Sequence, residues 1–353
     1  MSTLSKLPLR RLGRNGPEVS ALGLGTMAIG AFYGKTDVNA AMNALTYAAD
    51  RGMTFWDCAD IYGTSEATLG KWFKETGRRN EIFLATKFGG WDPAKGYTSG
   101  AISRPSYVKH AVKRSFEQLG VDHIDLFYQH RVDPKVPIEI VFEALREYVE
   151  AGKIKWLGLS ECSVETLERA KAVPGLGEKL VAVQMEYSPF TLEIEKDGFA
   201  AAADRLGVSV VAYSPLGRGL ASGKYRSRAD FDETDLRLWL PRFSEENFPK
   251  NLLVVDKLQE IANKYGATPS QVTLAWILAE HPTWVAIPGS RTAERIEENA
   301  RGAELVLPPE AIKEIRDLTE NAEVVGARYP DSTIATVEGN CLPLKEWKGE
   351  ENL

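Results

Sequence analysis

The chain has 353 residues, 44% hydrophobic and 26% charged, which is the composition of a globular protein rather than of a disordered or collagenous one. Its 43 basic and 49 acidic residues leave a net charge of −6, which argues against bulk-charge binding to nucleic acid or to an anionic membrane. Three widely spaced cysteines, Cys58, Cys162 and Cys341, make neither a CxxC metal pair nor a disulfide framework. No stretch has the apolar length of a signal peptide or of a membrane span, so a soluble, cytoplasmic, metal-free protein is expected.

Taken in chain order, residues 9–12 and 19–22 flank a Gly/Pro turn and predict an N-terminal hairpin. Short apolar runs then alternate with amphipathic stretches. Strands are predicted at 21–25, 53–57, 82–86, 124–128, 154–159, 181–185, 208–213 and 284–287. The helices between and after them fall at 37–51, 66–74, 104–119, 138–151, 164–172, 193–206, 252–265 and 293–301, with an additional helix at 269–280. Gly52, Gly120, Gly152, Gly207 and Gly266 each follow a helical stretch, where a left-handed C-terminal residue is expected. Eight strand–helix units predict an α/β fold, a (β/α)8 TIM barrel, with an open doubly wound sheet as the rival. Such a barrel takes about 250 residues as one domain. The whole chain, 1–353, is therefore expected to be a single domain with its core at about 9–320, a long loop at 214–250 after the seventh strand and a tail at 322–353.

In a barrel of this kind the active site lies at the C-terminal ends of the strands. Asp57 ends the second predicted strand, Lys87 immediately follows the third, His130 lies two residues past the fourth, and Tyr62 falls in the loop after Asp57. Each alone has a bland explanation as a loop anchor, a packing residue or a solvated charge; their joint placement at one mouth does not. A tyrosine hydroxyl, with an ordinary pKa of about 10, becomes a better acid beside a positive charge, which Lys87 supplies and Asp57 holds in its charged form. His130 can hydrogen-bond a carbonyl oxygen beside Tyr62. The set polarises and protonates a carbonyl but holds no nucleophile, so it needs a separate hydride source.

The segments GLGTM (23–27), FWDCADIYG (55–63), LATKFG (84–89), YQHR (128–131), GLSE (158–161), VQMEYSP (183–189), AYSPLGRG (212–219) and IPGSRTAERIEEN (287–299) resemble the aldo/keto reductase superfamily, in order and over nearly the whole chain. The chain is most similar to the microbial and plant branch that contains pyridoxal-reductase-like and auxin-induced-like proteins. The resemblance implies a (β/α)8 barrel, NADPH as cofactor, and Asp57, Tyr62, Lys87 and His130 as the catalytic tetrad.

Residues 23–28 also match the GxGxxA form of a Rossmann fingerprint, but no helix opens at its third small residue. The resemblance instead places Gly25, Thr26 and Met27, with Asp57, at the nicotinamide end. Ser160 and Gln184, at the ends of the fifth and sixth strands, are expected to meet the carboxamide, and Tyr213 to stack on the nicotinamide. Ser214, Leu216, Gly217, Arg218 and Gly219 are expected along the pyrophosphate. Ser290, Arg291, Arg295, Glu298 and Asn299 follow the eighth strand at a helix start, where two arginines and free backbone amides suit a ribose 2′-phosphate. They are the local basic cluster that an acidic chain needs for an anionic ligand. Glu161 and Gly289 depart from the broader family pattern, which more often has Asn and Lys at these places.

Substrate contacts are expected from Tyr33, Phe88, Trp91 and His130, with Phe32, Trp239, Arg328 and Tyr329 also within reach of the mouth. The expected reaction is NADPH-dependent reduction of an aldehyde or ketone, with Tyr62 giving the proton. Two alternatives are a weakly catalytic or non-catalytic nicotinamide-binding partner subunit and a Schiff-base lyase using Lys87.

Overall fold

The structure, a computed structural model, describes residues 6–33, 37–96, 100–334, 337 and 339–352. Strands β1 (Leu9–Arg11) and β2 (Glu18–Ser20) form an antiparallel hairpin. Eight parallel strands follow: β3 (Leu24–Gly25), β4 (Phe55–Asp57), β5 (Phe83–Phe88), β6 (Ile124–Gln129), β7 (Ile154–Ser160), β8 (Leu180–Glu186), β9 (Ser209–Tyr213) and β10 (Val285–Ile287). Bridges between Leu22 and Ala286 and between Gly25 and Gly289 join the last strand to the first. The sheet is therefore a closed barrel, and the open-sheet rival falls away.

The helices are α1 (Met27–Gly30), α2 (Val38–Asp50), α3 (Ser65–Thr76), α4 (Pro105–Leu119), α5 (Ile138–Glu150), α6 (Val164–Lys171), α7 (Glu193–Lys196), α8 (Phe199–Arg205), α9 (Asn247–Lys264), α10 (Pro269–Glu280), α11 (Ala293–Glu304), α12 (Pro309–Glu320) and α13 (Asp331–Ile334). The predicted helix at 193–206 is two helices. Gly198 between them takes a left-handed φ of 85°, and the Asp197 side chain caps Phe199 at 2.9 Å. Helix α9 starts five residues earlier than the predicted 252, and α12 is an element that the reading by periodicity leaves out.

Alternation along the strands sorts side chains between two cores. Phe55, Ala85, Leu126, Tyr128, Val211 and Val285 point inward and fill the barrel. Leu12 and Val19 of the hairpin belong to the same cluster, so the hairpin plugs the end of the barrel remote from the strand C-termini. Trp56, Leu84, Phe88 and Phe127 point outward into the larger core beneath the helices. Gly158 makes room for the inward Tyr128 ring: a Cβ there would lie 2.3 Å from it.

The long loop after β9 is a chain of short 3-10 turns, not an unstructured segment. The Arg237 guanidinium fastens it, lying 4.1 Å from the Tyr225 ring centre and 4.2 Å from that of Phe231 and pairing with Asp235 at 2.6 Å. The tail runs back over the barrel. Gly326 packs on Pro241 and Arg242, Ser163 donates its N–H to Gly339 at 3.0 Å, and Arg169 binds the Leu342 carbonyl at 2.8 Å.

Candidate active site

The register places the tetrad. Asp57 pairs with Ala85, so Lys87, two residues on, points to the same interior face one step nearer the mouth. Lys87 in turn pairs with Tyr128, and His130 lies two residues beyond that. Tyr62 comes from a tight turn after β4, closed by the Ser65 N–H to the Tyr62 carbonyl at 3.0 Å. This turn packs on Gly30 so closely that a Cβ at Gly30 would sit 2.1 Å from the Tyr62 oxygen.

The side chains meet as expected. Lys87, fully buried, donates to Asp57 Oδ1 and, at 2.7 Å, to the Cys58 carbonyl. Its Nζ lies 5.0 Å from the Tyr62 ring centre. The Tyr62 and His130 rings meet edge to face, with centroids 5.8 Å apart. Burial pulls the Lys87 pKa down, but Asp57 first, then Tyr62 and Cys58, raise it by more, so Lys87 stays charged. Burial also raises Asp57, against the pull of Lys87. Burial raises Tyr62, and the Lys87 charge opposes that shift without cancelling it; Tyr62 is therefore the neutral, proton-bearing phenol. His130 is held well below the ordinary histidine value by burial and by the charges of Arg131 and Lys87. Its Nδ1 is buried with no hydrogen-bond partner.

A cleft of about 610 Å³ runs from this group across the barrel mouth. At one end Gly25 and Met27 line it beside Asp57 and Tyr62. Gln184 lines the same end, Tyr213, Ser214, Leu216, Arg218 and Gly219 continue the wall, and Ser290, Arg291, Arg295 and Asn299 line its far end. The far end is built to hold its shape. Asn299 donates to Ser290 Oγ at 2.8 Å, Arg291 to the Tyr33 carbonyl at 2.7 Å, and Glu298 pairs with Arg295. Thr292 caps α11 by accepting from the Arg295 N–H at 3.4 Å. A long groove with cations and helix amides at one end and a proton-donor group at the other fits a phosphorylated dinucleotide.

Some expected contacts act at one remove. Thr26 is buried, and both its N–H, at 3.0 Å, and its hydroxyl, at 2.9 Å, hold the Asp57 carbonyl. Gln184 donates to Asp57 Oδ2 at 2.8 Å, so it orients the tetrad as well as lining the cleft. Ser160 is buried and accepts from Arg131 at 3.4 Å. Gly217 is buried beneath the loop, and Glu298 acts through Arg295.

Tyr33 lines the cleft, and Trp91 packs edge to face on Phe32 at 6.3 Å. Phe88 must be corrected. It stacks on Phe127 at 5.0 Å in the core beneath the helices and cannot line a substrate pocket. The reason is alternation: β5 runs on to Phe88, and with Lys87 inside the barrel Phe88 faces out.

Two features had no local signal in the sequence. Glu161 receives a two-point ion pair from Arg328, at 2.9 and 3.0 Å, and a hydrogen bond from the Tyr213 hydroxyl at 2.8 Å. Among the described residues the non-glycine ones with left-handed φ, Phe32, Glu161, Ser214 and Arg218, all lie in loops at this mouth, as strained backbone at functional sites does.

The model of the aldo/keto reductase family matches residues 21–320. The chain therefore belongs to the aldo/keto reductase family, a class of carbonyl-reducing oxidoreductases. It is 48% identical to aldo-keto reductase str7 of Strobilurus tenacellus, over 96% of this chain and 99% of that protein. It is 45% identical to aldo-keto reductase yakc [NADP(+)] of Schizosaccharomyces pombe, over 92% of this chain and 95% of that one. A thermostable aldo-keto reductase solved with the inhibitor epalrestat superposes with a TM-score of 0.69 at 30% identity, covering 88% of this chain and all of the other. Among the described residues no helix is long and apolar enough to cross a membrane.

Proposed function

We propose that the protein reduces an aldehyde or ketone to the alcohol with NADPH, with Tyr62 as the proton donor. The observation that carries this reading is the buried Asp57–Lys87 pair set under the Tyr62 ring, at the nicotinamide end of the groove. When bound, the dinucleotide supplies a hydride. The rest of the chemistry falls to the chain.

Tyr62 gives its proton to the carbonyl oxygen as negative charge develops there. Lys87 stabilises the phenolate left behind, and Asp57, steered by Gln184 and Thr26, keeps Lys87 charged. Neutral His130 orients the carbonyl oxygen by a hydrogen bond; such donors are typically worth about 2.7–4 kcal/mol when aimed at the developing charge. Arg291 and Arg295 take the 2′-phosphate; that both line the groove and the NADP(+) in the name of the fission-yeast relative support this. A Schiff-base role for Lys87 is disfavoured because its ammonium is engaged by Asp57 and the Cys58 carbonyl.

The test is to incubate the protein with NADPH and a panel of aromatic and aliphatic aldehydes, following nicotinamide oxidation and alcohol together. Stoichiometric alcohol supports the reading. Tight NADPH binding with no turnover across the panel would favour a nicotinamide-binding partner subunit.

A further inference from the structure

A knot of charge at the barrel mouth has a surplus that carbonyl reduction alone does not use. Four guanidiniums, those of Arg131, Arg218, Arg242 and Arg328, gather around two buried carboxylates, Glu161 and Glu186. Glu161 is taken by Arg328 at 2.9 Å. Glu186 is shared between Arg218 at 3.4 Å, Arg328 at 3.6 Å and Arg242 at 3.8 Å. Arg131 has no carboxylate at ion-pair distance among the described residues. Its recorded hydrogen bonds go to uncharged oxygens: the His130 carbonyl at 2.8 Å, Ser160 Oγ at 3.4 Å and the Tyr329 hydroxyl at 3.4 Å.

The Tyr329 hydroxyl shows what this arrangement suits. It accepts from Arg131 and, at 2.9 Å, from Arg218. It lies 3.1 Å from the Tyr213 hydroxyl, whose own proton goes to Glu161. One neutral oxygen thus sits between two cations, where an anionic oxygen would be held far more strongly. Arg131 directly follows His130 and bonds its carbonyl, so it sits beside the tetrad, and Tyr329 links it to Arg218 on the cleft wall.

We infer that Arg131, supported by Tyr329 and Arg218, is a specificity residue that binds a carboxylate on the carbonyl substrate. The preferred substrates are accordingly aldehydes or ketones that carry a carboxylate. A planar guanidinium fork matches two carboxylate oxygens, and among the described residues Arg131 is the guanidinium of these four with no carboxylate at ion-pair distance. The inference rests on the carbonyl-reduction reading above.

The test compares kcat/KM for 2-, 3- and 4-carboxybenzaldehyde with that for the methyl ester of each. Whichever isomer spans the distance from the reaction centre to Arg131 should be favoured over its ester by about 10-fold or more. Arg131→Met should erase that ratio through KM, with the ester serving as the control within each variant. Arg131→Lys keeps the charge, loses the fork, and should retain part of the ratio. As a reading independent of turnover, benzoate should bind the wild-type NADP+ complex in a fluorescence titration where benzamide does not, and Arg131→Met should lose that binding. Equal rates for acid and ester in all three isomers would overturn the inference, as would a preference that survives Arg131→Met. Reduction of the esters without preference for the acids sinks this inference alone, whereas no reduction of any compound sinks the reading on which it rests.

Discussion

Glu161 and Arg328 lie 167 positions apart and form a two-point ion pair, at 2.9 and 3.0 Å, between the end of β7 and the C-terminal segment. Glu161 is 1% exposed and holds a strained φ of 48°. Its second partner, Tyr213, lines the cleft across the barrel mouth. The pair therefore couples the seat of the tail to the wall of the site.

Removing one member of a buried ion pair strands the other. Glu161→Gln should lower unfolding stability by about 3 kcal/mol, read by urea denaturation at neutral pH. Burial alone would raise the Glu161 pKa, but Arg328 and Tyr213 hold it below the ordinary glutamate value. A carboxylate depressed in the folded state stabilises above its unfolded pKa, and that contribution is lost as pH falls through the folded one. The gap between wild type and Glu161→Gln should accordingly be full at neutral pH and shrink below about pH 4.3. A gap that does not depend on pH would count against the pair.

The Asp57–Lys87 pair makes a second thermodynamic prediction. Lys87→Met leaves a buried carboxylate alone and should destabilise by about 3–5 kcal/mol. Adding Asp57→Asn removes that charge and should recover about 2 kcal/mol or more, while turnover stays low because Tyr62 has lost its cation. Additive losses in the double variant would contradict the coupling.

His130 is expected to work as a neutral donor. Its pKa lies well below the ordinary 6.5 because it is buried next to Arg131 and Lys87. A pH profile of kcat for reduction should therefore show no inflection near 6.5. An inflection there that disappears in His130→Gln would show that the imidazole titrates and that its charged form matters.

If Arg291 and Arg295 take the 2′-phosphate, as proposed, they carry the choice of cofactor. Replacing Arg295 with Ala should weaken NADPH by about 10-fold and leave NADH nearly unchanged, measured by quenching of tryptophan fluorescence. Equal losses for both nucleotides would assign Arg295 to holding α11 in place rather than to the 2′-phosphate.

Most of the barrel was legible because alternating strand and helix periods are local signals, and the grouping of Asp57, Lys87 and His130 because they lie at or just past strand ends, with Tyr62 in the loop after one of them. Phe88 departs from its expected place because β5 runs two residues past the predicted end at Thr86, and the same alternation turns Phe88 outward. The break at Gly198 also had a local sign, an Asp-Gly pair inside an apparent helix. The Arg328–Glu161 link and the Tyr329 hydroxyl between Arg131 and Arg218 had none. They join segments distant in sequence, and only the closed barrel brings the tail over the mouth.

Tyr62→Phe isolates proton donation by Tyr62, because one hydroxyl is removed from an otherwise unchanged ring. In this variant kcat for aldehyde reduction should fall by about 100-fold or more, while the Kd for NADPH stays within error of wild type. A Tyr62→Phe protein that binds NADPH normally and turns over at close to the wild-type kcat would contradict that role.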